Sequence, residues 1–342
     1  WRMRNVLRLS VPTLLLAGFA VAQVPRVGIV DFYGVRKVKL ERLTEALGVH
    51  EGDPMPPSKS AIEERLEKVP GVVRARVEAV CCDAGGAILF VGIEEKGAPH
   101  SEFRPLPAKD VTLPAPILET YAQLLRAVEQ AARRGQTSED FVEGQSRMVD
   151  PACYQLQQQL GTLAGEHLAA LRDVLRNAVD DEQRAIAAAV LGYTPKKQKG
   201  LVVNDLQYAL QDSGDSVRGN AARSLAAFAV LARSDPEAGI KVSATWFVEM
   251  LNSIVWSDRN NACLALLHLT EDRNADVLAL IRERALPSLA EMARWNSLKH
   301  ALPAYILLGR AGGIAEADIH SAWERGDREQ AIRKALGGRK HR

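Results

Sequence analysis

The stretch Asp215-Ser216-Val217-Arg218-Gly219-Asn220-Ala221-Ala222-Arg223-Ser224-Leu225 repeats, in outline, an earlier one, Asp181-Glu182-Gln183-Arg184-Ala185-Ile186-Ala187-Ala188-Ala189-Val190-Leu191. Both follow Asp-x-x-Arg-x-x-Ala-x-x-x-Leu, and residues that return every three or four positions lie on one face of a helix, not of a strand. An acid at the start suits the free amides of a helix N-terminus, and alanine at the contact lets two helices approach closely. A phrase that recurs in this way, each copy preceded by an amphipathic helix, predicts stacked helix pairs rather than one closed bundle.

Looser echoes follow at Ser257/Asn260/Cys263/Leu267, at Asn296/Lys299/Leu302/Ile306 and at Gly326/Glu329/Ile332/Leu336. The first helices of these pairs are expected at 167–176, 201–211, 244–255 and 277–292. The phrase resembles the HEAT-repeat family, most closely at 215–225, and the resemblance extends over 165–337. It implies an all-α solenoid over 116–342, with Arg184 and Arg218 as struts between repeats. A solenoid presents a concave surface lined by its second helices, where Asn220 and Arg223 are the candidate outward, partner-binding positions. Upstream, Ile117, Leu118, Tyr121, Leu124, Leu125 and Val128 form another helical stripe, and Thr137 or Ser138 is expected to cap a further helix around Phe141 to Met148.

Residues 24–97 read differently. Val27 to Tyr33 is a β-branched, aromatic run bounded by Pro25 and Gly34. Two helices are expected at Lys39 to Leu47 and Ser60 to Val69, the second with Ser60 as its cap and Glu63 completing a capping box. Strands follow at 72–82 and 87–94, joined by the turn Asp83-Ala84-Gly85-Gly86. The order β-α-α-β-β defines a small α+β domain, so the fold class is mixed. These residues resemble the polypeptide-transport-associated (POTRA) domain in Phe32 and Gly34, in Gly52-Asp53-Pro54, in Pro70-Gly71-Val72 with Ala75 and Val77, and in Val91-Gly92-Ile93-Glu94-Glu95. The resemblance implies a place in the bacterial periplasm or its organellar equivalents, and protein handling in which an extended segment adds to an exposed sheet edge.

The strand 72–82 is the expected edge, with Arg74, Arg76 and Glu78 on one face as candidate partner contacts. If Leu89, Val91 and Ile93 face the helices, Ile88 and Phe90 point the other way and must be covered by the helical domain or by a partner. Residues 98–115, with Pro99, Pro105, Pro107 and Pro114, form a stiff, extended linker.

Residues 1–22 combine a basic start, an apolar run from Leu9 and the Ala20-Val21-Ala22 motif of a cleavable secretion signal. The chain begins with Trp, so translation is expected to start at Met3 or upstream of it. The run is short for a bilayer-spanning helix, and an uncleaved inner-membrane anchor is the alternative. Removing Arg2, Arg4 and Arg8 with the signal takes the formal charge from +2 to −1, which leaves no surplus for nucleic acid. Cys81, Cys82, Cys153 and Cys263 show no metal or redox spacing, and the seven histidines form no metal motif. No catalytic, cofactor-binding or metal residues are assigned. The expectation is an exported, non-enzymatic scaffold for protein partners in the cell envelope, linked to protein transport or outer-membrane assembly. A lyase-type enzyme on a helical solenoid is the alternative from another class.

Overall fold

The computed structural model describes residues 25–83, 85–98 and 102–337. The expected signal at 1–22 lies outside them. The chain opens with β1 (Val27–Tyr33), α1 (Leu40–Leu47), α2 (Lys59–Glu67), β2 (Val72–Asp83) and β3 (Gly86–Glu95). β3 is central, parallel to β1 and antiparallel to β2, so β2 lies at an edge. Leu89, Val91 and Ile93 alternate onto one face, where Leu43, Leu47, Ile62 and Leu66 of the two helices close a small core. α1 stops at Gly48, whose φ of 62° is the left-handed conformation that a glycine cap supplies.

α2 starts two residues earlier than the capping box suggested. Ser58, not Ser60, caps it, accepting from the Ala61 amide at 3.2 Å. Glu63 is therefore free to serve the sheet. It accepts the Val77 amide at 2.8 Å, and Glu67 accepts the Ala75 amide at 3.1 Å.

The helical part begins with α3 (Ala115–Arg133) and α4 (Pro151–Glu166), separated by a hairpin of β4 (Glu139–Val142) and β5 (Gln145–Met148). This corrects the helix expected around Phe141 to Met148. Glu143 and Gly144 have φ of 50° and 71°, the pair of left-handed residues that makes a two-residue type I′ turn. The first helices of the repeats are then α5 (Leu168–Asn177), α7 (Lys199–Ala209), α9 (Thr245–Met250), α11 (Ala275–Arg284), extended by α12 (Leu286–Met292), and α14 (Glu316–Glu324). The second helices are α6 (Asp181–Leu191), α8 (Asp215–Ser234), α10 (Trp256–Leu269), α13 (Leu298–Ala311) and α15 (Arg328–Gly337). Each second helix packs on the next, α6 on α8, α8 on α10, α10 on α13 and α13 on α15, while behind them α5 packs on α7 and α9 on α11. This is a helical-repeat solenoid.

The arginines build a ladder through it. Arg184 makes a bidentate pair with Asp212, both bonds 2.8 Å, and turns its remaining nitrogen onto the carbonyls of Ala178 and Val179. Arg218 repeats this one unit on, pairing with Asp258 at 2.9 and 2.8 Å and holding the carbonyls of Asp212 and Ser213. In the third unit Arg259 takes the same place, donating to Ser253 six residues back. The third phrase is therefore Trp256/Arg259/Ala262/Leu266, one residue earlier than the echo read from sequence. The fourth is Leu298/Ala301/Ala304/Leu308, two later than expected. Helices rich in alanine and leucine match the phrase in more than one phase; the arginine's carbonyl partners fix it in the third unit, and the start of α13 at Leu298 fixes it in the fourth. The capping role expected of Asp215 also moves: Gly214 is the N-cap of α8, and Asp180 caps α6 by accepting from Glu182 and Gln183.

The linker is strapped to the solenoid. Arg104 donates to the Gln211 carbonyl at 2.9 Å and Lys109 to the Asn177 carbonyl at 3.0 Å, carbonyls left free at the ends of α7 and α5. Phe103 lies over the Arg218 guanidinium, 4.2 Å from it.

Candidate functional site

The second face of the sheet is spent on the solenoid. Phe90 stacks on Trp256 at 4.9 Å and meets Trp295 at 4.8 Å and His300 edge-on at 5.5 Å. Ile88 and Phe90 are completely buried, in one continuous core with the helices. Gly92 comes so close to the turn before α10 that an added Cβ would stand 2.0 Å from the Ile254 carbonyl oxygen, which Tyr33 also engages through its hydroxyl at 2.8 Å. These residues belong to a seam within the chain and offer no surface to a partner.

Two carboxylates from the sheet complete helices of the solenoid. Glu78 accepts the Trp256 amide at 2.7 Å and the Ser257 amide at 3.3 Å, at the start of α10, whose own N-cap residue Val255 has no side chain to offer. Asp31 accepts the Asn296 and Ser297 amides at the start of α13, the former at 2.9 Å. At α10 the carboxylate satisfies orphan amides of the first turn and opposes the positive end of the helix dipole, while Asp31 holds the two residues that lead into α13. Burial, the larger influence, nevertheless raises both carboxyls above their ordinary values against these hydrogen bonds. Glu78 thus leaves the list of outward candidates.

The proposed strand-addition edge is altered as well. In β2 the outward amides of Ala75 and Val77 are taken by Glu67 and Glu63, which blunts the edge against an incoming strand. Arg76 lies 3.8 Å from Glu63. Arg74 and Arg76 instead face a cleft of about 250 Å³ against Asp181, Ser213 and Asp215 at the solenoid's rim.

That cleft opens into a trough along the second helices. Its floor is α6 at Ala185 and Ile186, α8 at Ser216, Gly219 and Asn220, and α10 at Ser257 and Asn261, enclosing about 650 Å³. Glu78 and the edge strand close it at the N-terminal ends of these helices; Tyr121 and Leu125 of α3 flank it. At the other end it deepens into a pocket of about 320 Å³ lined by Tyr121, Leu124, Leu125, Val128, Ala189 and Tyr193, against the hairpin residues Ser146 and Met148. Leu125 is 54% exposed. Of the sequence candidates, Asn220 and Arg223 stand on this floor. Asn220 donates to the Ala185 carbonyl at 2.9 Å, and Arg223 pairs with Glu139 of the hairpin.

The hairpin rests on an unusual support. Lys199 is fully buried, donating to the Gly192 carbonyl at 3.0 Å and lying 4.1 Å from the Phe228 ring centroid. Gly144, at the turn, packs so closely that a Cβ there would stand 3.2 Å from the Lys199 Cε. Burial, and secondarily the charge of Arg147, pull the lysine down to about 7. In the sequence Lys199 stands in a basic cluster with Lys196 and Lys197 that reads as a solvated turn; its burial corrects that reading for Lys199. The signal available for the hairpin was Glu143-Gly144 between two short alternating runs.

Among the described residues no group of three or more His, Cys, Asp and Glu side chains is placed to hold a metal, and no helix is long and apolar enough to cross a membrane. Cys81 is disulfide-bonded, and Cys153 and Cys263 are buried and free.

No protein-family model matches the chain, and no curated protein matches it. Among solved structures it is similar to an engineered protein, with 16% identity over 55% of this chain and 90% of the other, at a TM-score of 0.36. It is also similar to a designed armadillo repeat protein, with 17% identity over 55% and 94% and a TM-score of 0.37. A second designed armadillo repeat protein, in complex with the peptide (KR)4, gives 16% identity over 56% and 95% and a TM-score of 0.35. The repeat architecture of this chain rests on the stacking of its own helices.

Proposed function

We propose that the chain is a polypeptide-binding scaffold whose site is the trough on the inner face of α6, α8 and α10. The observation that carries this reading is a long concavity, walled on three sides, that leaves the side chain of Leu125 half-exposed beside a pocket in which apolar side chains alternate with Glu139, Gln157, Asn220 and Arg223. Exposed apolar surface inside a rimmed concavity marks a binding site for another molecule. Replacing Leu125 with Glu tests it: proteins that co-purify with the wild-type chain, identified by mass spectrometry, should be lost from the variant. An unchanged set of partners would remove the trough from the account.

The proposal includes an exported protein of the cell envelope, with residues 24–97 as a POTRA-type domain. The signal-like residues 1–22 and the β-α-α-β-β order support it. A role in protein transport or outer-membrane assembly would follow from that placement. The N-terminal sequence of the mature protein decides between export and anchoring: it should begin near Gln23, whereas a retained N-terminus favours the inner-membrane anchor. The lyase-type alternative has no observation in its favour among the described residues.

A further inference from the structure

We infer that the α/β domain carries a binding site of its own, a basic pocket between α1 and the sheet that docks the protein on the phosphate headgroups of an anionic lipid surface. This does not rest on the trough.

The pocket, of about 320 Å³, lies where the loop after β1 crosses the turn before β2 and the end of β3. Lys37, Lys39 and Arg42 line it from the loop and α1, and Lys96 from the far side. All four are exposed, and none makes an ion pair among the described residues. Cations elsewhere in the domain are engaged: Lys59 and Arg76 share Glu63, and Arg65 donates to the carbonyls of Ala46 and Leu47. The one carboxylate in the pocket's wall, Glu95, is buried and spent on the backbone, accepting the amides of Arg36, Lys37 and Val38 at 2.7 to 3.0 Å. The lining therefore carries 4 − 1 = +3.

Backbone contacts hold these charges together. Three consecutive amides of the loop turn onto Glu95, and Lys96 donates its amide to the Gly71 carbonyl at 2.9 Å. Val38 packs so close to Gly71 that a Cβ there would stand 3.1 Å from it. Like charges gathered in this way repel, and an anion among them removes that cost. Exposed cations hold a single small anion weakly in salt, whereas a lipid surface offers a phosphate to each of them at once. The rim is apolar as well: Leu40, 49% exposed, directly follows Lys39, and exposed Pro70 lines the pocket. Apolar side chains standing among cations suit the boundary between headgroups and acyl chains, and add nothing to the binding of a free phosphate in water.

Acetylation of the lysines, mapped by mass spectrometry on the full chain, tests the inference. Vesicles of phosphatidylcholine with phosphatidylglycerol should shield Lys37, Lys39 and Lys96 and leave the exposed Lys197, Lys241 and Lys334 reactive; phosphatidylcholine alone should shield none. Lys37→Gln/Lys39→Gln/Lys96→Gln should lower the affinity for the anionic vesicles about a hundredfold, at about fivefold per charge. Lys197→Gln/Lys241→Gln/Lys334→Gln, with the same net charge, should leave it unchanged. Thermal melts confirm that both variants fold, and residues 1–22 are the same in each, so a difference between them belongs to the pocket. Equal losses in the two variants, no loss in the first, or reactive lysines at 37, 39 and 96 would overturn the site. Shielding of these three by soluble glycerol phosphate or by a DNA oligonucleotide, but not by vesicles, would overturn the lipid surface as the partner.

Discussion

At one end of the trough Phe90 packs between two tryptophans, and two carboxylates of the sheet meet the starts of solenoid helices. At the opposite end a ten-residue hairpin sits over a buried ammonium and is tied by an exposed Arg223–Glu139 pair. The sheet wall is held by desolvated aromatic area and satisfied polar groups, which together are strong. The hairpin wall has only two strands, and since isolated hairpins are marginal in water it depends on the packing of β5 against the helices. Its Lys199 stands without a carboxylate at ion-pair distance among the described residues. The difference is one of chemistry: the sheet wall is held by stacked aromatic rings, whereas the hairpin wall is held by buried Met148, by Gln145 donating to the Tyr193 carbonyl and by contact with a buried lysine.

The sharpest way to break that comparison is Phe90→Ser, expected to cost about 3–5 kcal/mol of docking. Hydrogen exchange on the full chain should show protection lost at the N-termini of α10 and α13 while α1 and α2 keep theirs. Simultaneous loss in α1 and α2 would mean that the sheet wall is not a seam between two cores.

Lys199→Met tests the other wall. The folded chain holds this lysine near 7 and its ordinary value is 10.5, so between them the unfolded chain carries a proton that the folded chain has shed. Stability should therefore rise as pH increases from 7 to 10.5, and the penalty is complete below 7. Removing the charge should stabilise the protein by about 3 kcal/mol at pH 6 and flatten the rise. Melting temperatures between pH 6 and 10 check this; an unchanged slope would show that Lys199 does not govern the hairpin's support.

Smaller effects follow at the helix starts. Asp31→Asn and Glu78→Gln should each cost about 1 kcal/mol, nearly additive because they meet different helices. Burial raises both carboxyls, so their contribution is fullest in acid and declines as pH rises through the raised values. Denaturant titrations at several pH values should show that slope in the wild type and lose it in the double variant. Arg223→Ala should be the mildest, under about 1 kcal/mol, because its pair is exposed. A larger loss would show that the pair, and not the packing of β5, holds the hairpin.

The repeats and the two faces of the sheet were legible because each depends on local period: Arg184 and Arg218 recur with their alanines, and Ile88 and Phe90 alternate against Leu89 and Val91. Contacts that join distant stretches were not. Nothing near Glu63 tells that its carboxylate seals an edge amide fourteen residues on, and nothing near Asp31 predicts a helix starting beyond Asn296. The hairpin is hidden in the sequence because Phe141, Val142 and Met148 also fit a short helix; the left-handed Glu143-Gly144 pair decides against it. Of the candidate contacts, Asn220 and Arg223 line the trough because they lie on a second helix. Glu78, Ile88 and Phe90 were correctly placed on a polar or apolar face whose occupant the sequence could not name: it is the chain's own solenoid.

The central claim, that the inner trough is where this scaffold holds another polypeptide, is tested most directly by photo-crosslinking in the cells that make it. A photoreactive residue would replace Leu125 or Asn261 in the trough, or Leu201, exposed on first helix α7. The account predicts protein adducts from 125 and 261 and none from 201. Adducts from 201 alone, or equally from all three, would contradict it.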